Sequence, residues 1–220
     1  MSRTPADPRA VLLDGISEQE FQQQVIQVAT QWSAKDSFRR AALKRQHPDA
    51  WMQTFTGRQF WPLEPDPGDV CIEDIAHHLS MICRFGGASW RFYSVAEHSV
   101  LVSYKAGLNG LLHDAAEAYI GDMIRPLKRS VPVWEWYHPV EDRIMDVIYE
   151  ALGLETPGAP ELNRIHVADD RVLATERLSL HHPGHRWLLP EPYADIKIKK
   201  WGPQRAEKEF LALCSAYGLR

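Results

Sequence analysis

Residues 111–122 read LLHDAAEAYIGD, and the reading of the fold starts from that stretch. With the residues before it, the stretch predicts a helix over 108–119 that Gly121 stops. His113 and Glu117 are four residues apart, so on such a helix they share a face, about one turn from each other. Asp114 flanks that face, and Asp122 follows Gly121 where the helix ends. A His-Asp pair alone carries little weight, since a chain of this composition gives about 0.6 such pairs by chance. The context is more telling: one short segment delivers an imidazole and three carboxylates to one neighbourhood.

Working outward, the pattern stays helical. Ile75, Leu79 and Ile82 recur at helical spacing over 73–84, ahead of the breakers Gly86 and Gly87. Residues 94–105 form another expected helix. Pro126 and Pro132 bracket a loop, and Pro139 suits the first turn of a helix with the stripe Ile144, Val147, Ile148, Ala151 and Leu152, ending at Gly153. Further helices are expected over 161–179 and 203–217. Toward the N-terminus, Ser17 and Glu20 form a capping box before Phe21, Val25, Val28 and Trp32. The run FWPLEPDPG at 60–68 is a linker or an ordered loop. Runs of alternating valine and isoleucine are nearly absent. The expectation is an all-α protein, with an N-terminal arm and helical appendage over 1–53 and a main domain over 54–220.

Composition bounds the function. The 220 residues hold 25 basic and 29 acidic side chains, a net charge of −4. That balance argues against a nucleic-acid coat or a polybasic membrane binder, so neither a nucleic-acid polymer nor a membrane is an expected partner. No run reaches the ~18 apolar residues of a membrane span, and MSRTPADPRAVLLDG lacks a signal-peptide core, so the expected location is the cytoplasm. Cys71, Cys83 and Cys214 are too few and too scattered for a disulfide framework or a CxxC site. Ten histidines against three cysteines point to nitrogen and oxygen ligands for any metal. There is no Walker A sequence and no GxGxxG.

Other candidate groups lie on neighbouring helices. His98 stands beside Glu97, and Asp169-Asp170 sits among Ile165, Val167, Ala168, Val172 and Leu173. An acid in such a setting is solvated, paired or bound to a cation. Taken singly, each of these residues has a commonplace explanation as a solvated or hydrogen-bonded helix residue. The same holds for His77-His78 and for the histidines at 181, 182 and 185. The order of the group changes the weighing. His98, then His113-Asp114, then Asp169 resembles the H…HD…D series of the HD-domain phosphohydrolase superfamily. IEDIAHHLSMICRFGG (72–87), YSVAEHSVLVS (93–103), LLHDAAEAYIGDMIRPLK (111–128) and VADDRVLATE (167–176) resemble one branch of it. That branch holds bacterial 5′-deoxynucleotidases and phage dATP triphosphohydrolases.

The resemblance covers about residues 54–180. It implies an HD-domain helical bundle in which His98, His113, Asp114 and Asp169 hold one divalent metal ion. Asp169 matches better than Asp170, because the family places a small residue before the ligand. Glu117 and Asp122 match carboxylates that handle the attacking water or the leaving group. Arg84 matches an arginine that meets substrate phosphate, Phe85 an aromatic position near the sugar, and Lys128 a basic residue at the site mouth. The implied partner is a small-molecule nucleotide, and self-association is common in the family. Two imidazoles and two carboxylates suit Mn²⁺, Co²⁺, Fe²⁺, Ni²⁺ or Zn²⁺, and Mg²⁺ stays open. Such an ion polarises a phosphoryl group and lowers the pKa of its water. The expected activity is hydrolysis of a deoxynucleoside monophosphate or triphosphate. A non-catalytic nucleotide-binding module and a di-iron oxygenase are the rivals. The latter would draw further ligands from His138 or His166.

Overall fold

The structure is a computed structural model that describes residues 48–219. The chain divides into two compact units, 1–50 and 51–220. The helix expected after Ser17 lies outside the described residues. The second unit opens on a two-stranded hairpin in which β1 (Met52–Gln53) pairs antiparallel with β2 (Gln59–Phe60). Everything regular after it is helical: α1 (Ile72–Met81), α2 (Val95–Leu112), α3 (Glu117–Ile120), α4 (Arg125–Lys128), α5 (Val131–Ala151), α6 (Ala159–Leu180) and α7 (Pro203–Ala216). Short 3₁₀ turns stand at Pro67–Asp69 and Arg84–Gly87. The described residues therefore belong to the all-α class, with one small hairpin. Among them no helix is long and apolar enough to cross a membrane.

The hairpin is clasped to α1 by side chains. Asp74, fully buried, accepts from Thr56 N–H at 2.7 Å and from the Thr56 hydroxyl at 2.8 Å. His78 donates from Nδ1 to the Ala118 carbonyl at 2.8 Å and accepts at Nε2 from Phe55 N–H at 3.0 Å. His77 stacks on Phe55 and meets Glu207. The His77-His78 pair is thus structural.

Helix α2 is the centre of the unit. Every residue from Val95 to Ser103 is buried, because the helix packs on α6 along one side and on α1 and α7 along others. One apolar cluster gathers Ile75, Leu79, Val100, Leu111, Ile144, Ile148 and Phe210, and a second gathers Tyr93, Leu101, Val102, Ile165, Val172 and Leu180. The stripe expected on α5 is the buried one, whereas Tyr217 at the end of α7 is 41% exposed.

Several expected boundaries need correction: the loop expected between Pro126 and Pro132 is largely helical, with α4 over Arg125–Lys128 and α5 from Val131, and the helix expected over 94–105 runs to Leu112. α5 begins at Val131 rather than near Pro139, which lies inside it. A proline there has no N–H for the carbonyl four residues earlier, but the helix runs through, with Pro132 in its first turn. The helix expected over 108–119 is also not continuous. Its first residues belong to α2, it stops at Leu112, and it resumes as α3 at Glu117. Between them the backbone tightens to i→i+3 bonds, with Ala115 N–H donating to Leu112 O at 2.8 Å and Glu117 N–H to Asp114 O at 3.0 Å. His113 and Glu117 are therefore not successive residues of one regular helix face.

Candidate metal centre

His98 lies near the start of α2 and His113 caps its end. Fifteen residues of straight helix would separate them by about 22 Å. Their Nε2 atoms are 3.2 Å apart. The break at Gly107 accounts for the difference: its φ of 68° and ψ of −152° interrupt the helix and fold the following turns back. That backbone state belongs essentially to glycine. Helix α6 then brings Asp169 Oδ1 to 3.2 Å from His98 Nε2. One ligand atom from each of His98, His113 and Asp169 lies within 4.8 Å of the other two. These three residues could hold a metal ion. Asp114 joins them at the edge, with Oδ2 3.2 Å from His113 Nε2 and 3.7 Å from His98 Nε2.

The far side of each ring fixes the near side. His98 Nδ1 meets the Glu176 carboxylate at 2.6 Å, and His113 Nδ1 meets the Gly110 carbonyl at 2.9 Å. Both partners only accept, so both Nδ1 atoms carry hydrogen, and each neutral ring presents its lone pair at Nε2. Two lone pairs facing across 3.2 Å repel unless a cation or a proton stands between them. The donor set thus fits a metal ion on its own chemistry.

A proton is the alternative occupant, and the charges show how firmly the site would hold one. Burial and the Arg84 charge work against protonation of His98, but the carboxylates of Glu176 and Asp169 outweigh them and push it up to about 9. Burial holds His113 below the ordinary histidine range. Asp169 stays well below the carboxylate range, because His98, His113 and Arg125 more than offset its burial. Asp114 is lowered in the same way against its burial, by His113, His98 and Arg84.

Arg84 is buried, with Nη1 3.3 Å from Asp114 Oδ2 and Nη2 3.6 Å from Glu176 Oε2. Its fork therefore grips two carboxylates beside the cluster. Phe85, in the left-handed region with φ 59°, turns its ring to His181 at 4.6 Å and to Trp187 at 6.3 Å. Its nearest tie to the cluster is the Arg84 guanidinium, 5.4 Å from its ring centre. Glu117 is buried, and its Oε1 lies 3.6 Å from Lys128 Nζ. Burial, then the neighbouring charges of Asp114 and Asp122, push Glu117 well above the carboxylate range. Burial also raises Asp122, against the pull of Arg84. Lys128 bonds Glu141 at 2.5 Å, and the carboxylates of Glu141 and Glu117 hold its charge firmly despite burial. His138 lies tilted against Trp134 and 3.4 Å from Glu141, while His166 is exposed on α6. Neither joins the His98, His113 and Asp169 group.

No family model matches the chain. It is 40% identical over 139 residues to the uncharacterized protein YfdR of Escherichia coli strain K12, an alignment spanning 60% of this chain and 72% of that protein. The chain belongs to the YfdR family. A second relative, the uncharacterized protein RCAP_rcc00048 of Rhodobacter capsulatus, is 36% identical over 138 residues, spanning 57% of this chain and 69% of the relative.

Sequence reasoning passed over Glu176, Tyr93 and Glu141, and it took Arg125 only as part of a small basic run with Lys128 and Arg129, of the scale of a mono- or triphosphate. Glu176 supports His98 and accepts from the Tyr93 hydroxyl, Arg125 donates to Asp169 at 2.7 Å and also bonds Asp170, and Glu141 holds Lys128. Asp170, the rejected alternative ligand, is thus spent on Arg125. Glu176 had a readable signal. It lies seven residues after Asp169 on α6, two turns along the same face. The partners of Arg125 and Glu141 had none, because they are set by how α4 and α5 approach the site.

Proposed function

We propose that this protein is a metal-dependent phosphohydrolase acting on deoxynucleotide phosphates. One divalent ion would be held by His98, His113 and Asp169, with Asp114 as fourth ligand. The observation that carries this reading is the meeting of two imidazole Nε2 atoms and a carboxylate while both Nδ1 atoms are already committed to acceptors. When bound, the ion would supply Lewis-acid polarisation of a phosphoryl oxygen and a water of lowered pKa.

The surrounding residues suit the remaining tasks. Glu117 and Asp122 hold protons more tightly than ordinary carboxylic acids, which fits a group that gives a proton to a leaving oxygen or takes one from water. Lys128 and Arg84 keep their positive charge beside the cluster and favour the negative charge of a phosphoryl group. A monophosphate would yield nucleoside and phosphate, and a triphosphate would yield the nucleoside and its phosphate product. The likeness to the deoxynucleotidase and dATP-hydrolase branch extends the reading to self-association of the chain.

The test is product identification across ribo- and deoxynucleoside mono- and triphosphates, each with Mn²⁺, Co²⁺, Mg²⁺ or Zn²⁺. The expected result is metal-dependent cleavage of deoxynucleotides, abolished in His113→Ala and Asp169→Asn chains that keep the helical circular-dichroism signal. A chain that binds metal but leaves the whole panel intact would make it a nucleotide-binding module instead. Two irons per chain would support the oxygenase reading.

A further inference from the structure

Glu176 is fully buried near the end of α6, and three groups converge on it. Its Oε1 accepts from His98 Nδ1–H at 2.6 Å and from the Tyr93 hydroxyl at 2.7 Å. Its Oε2 faces Arg84 Nη2 at 3.6 Å. The other arm of Arg84 reaches Asp114. Arg84 and Tyr93 are tied through the backbone as well, because Arg84 N–H donates to the Tyr93 carbonyl at 2.9 Å. A buried carboxylate needs this many donors to be tolerated. It touches His98, a member of the candidate ligand group, and faces Arg84, which reaches Asp114, while lying outside that group itself.

We infer that Glu176 is a positioning residue of the metal centre: through His98 Nδ1 it keeps the His98 Nε2 lone pair aimed at the cluster, and through Arg84 it steadies Asp114. This rests on the metal reading given above. A carboxylate accepts at both oxygens, so Oε1 takes the hydrogen bonds of His98 and Tyr93 while Oε2 sets its negative charge opposite Arg84, in an ion-pair contact at 3.6 Å without a hydrogen bond. A glutamine cannot do both. With its carbonyl toward His98 and Tyr93, its amide N–H groups face the Arg84 guanidinium, donor against donor. Turned over, the amide donates to His98 Nδ1, and the ring proton moves to Nε2, where it blocks the ligand lone pair. Either outcome disturbs the cluster without changing one of its ligands.

The experiment compares Co²⁺ binding, by competition titration and visible absorption, in the unaltered chain, Glu176→Gln, Glu176→Asp and Tyr93→Phe. Thermal unfolding of each metal-free chain is measured alongside. Glu176→Gln is expected to bind Co²⁺ about 10- to 100-fold more weakly with an altered spectrum, the range seen for outer-shell partners of metal-bound histidines. Glu176→Asp keeps the charge but draws it back from His98, and is expected to show the spectral change with a smaller loss. It also serves if the glutamine chain does not fold. Tyr93→Phe removes one donor yet leaves His98 oriented, so its affinity should stay within about threefold even if its unfolding temperature falls, since orientation rather than packing sets ligand strength. Unaltered affinity and spectrum in both Glu176 variants would overturn the inference. So would an affinity loss in Tyr93→Phe equal to that of Glu176→Gln, which would mark a merely structural network. No Co²⁺ uptake by the unaltered chain would overturn the metal reading, and this inference with it.

Discussion

Glu117 holds its carboxyl group in a place that disfavours the charged form. Burial and the nearby Asp114 and Asp122 raise it well above the 4.5 of a free glutamate. The unfolded chain releases that proton near 4.5, while the folded chain keeps it to higher pH. Between those two points the folded state binds more protons, so stability falls as pH rises through the window. Above it, the native state carries an ionised buried acid whose nearby cation, Lys128, is shared with Glu141. Glu117→Gln removes this cost. It should unfold at a temperature about 2–4 °C higher at pH 8, the shift expected for a gain on the order of 1 kcal/mol in a chain of this size, with the gain vanishing near pH 4. Turnover should fall about 100-fold or more while metal content is unchanged. Unfolding scans at both pH values and metal analysis check this. Full activity would remove Glu117 from the chemistry. That a carboxylate at 117 lies near Asp114 is legible from their closeness along the chain, although the regular helix face expected for His113 and Glu117 does not form. The strong proton affinity of Glu117 is not legible, because that comes from the walls around it.

Elements explain how far-apart residues meet. Gly107 breaks α2, and the turns after it carry His113 back to His98. A methyl group at position 107 would meet no atom within 4 Å, so the cost of Gly107→Ala is conformational and not a clash. That cost should be about 1–3 kcal/mol, with metal affinity falling as well because the fold-back sets the spacing of the ligands. Denaturant titration and Co²⁺ titration of the variant measure the two effects. A stable variant with weakened metal binding would still fit, whereas unchanged metal affinity would detach the Gly107 break from the site. The break is partly readable, since expected helices over 94–105 and 108–119 leave a gap there. The second break, between Leu112 and Glu117, is not. LLHDAAEAYI holds no glycine or proline and is rich in alanine and leucine. The tightened turn comes from tertiary contacts, among them Ala116 N–H directed at the Met145 sulfur on α5, 3.3 Å away.

On the scale of the whole molecule, the proposed ligands come from separate parts of the chain: His98 from the start of α2, His113 from its C-cap, Asp114 from the turn after it, and Asp169 from α6. An ion bound by all of them crosslinks elements that the unfolded chain does not hold together. Binding to the native state alone adds about 2.7 kcal/mol at a metal concentration 100 times Kd. In a chain of this size that is about 5–10 °C in unfolding temperature. Scanning calorimetry with EDTA against Mn²⁺ or Co²⁺ should show the rise, and Asp169→Asn should lose it. Equal unfolding temperatures with and without metal would speak against the proposed centre.

The order of the amino acids alone dictates the helical class, many of the helix ends and the nitrogen-and-oxygen kind of donor. Those follow from short-range causes: apolar spacing of three and four, glycine and proline as breakers, and histidine and aspartate in place of cysteine. The tertiary structure alone decided which donors converge. It folded α2 back at Gly107, spent Asp170 on Arg125, turned the Arg84 fork onto Asp114 and Glu176, and set Glu176 behind His98. Those outcomes depend on packing between α2, α4, α5 and α6. Contacts between residues so distant in the chain leave no local pattern in the order of its amino acids.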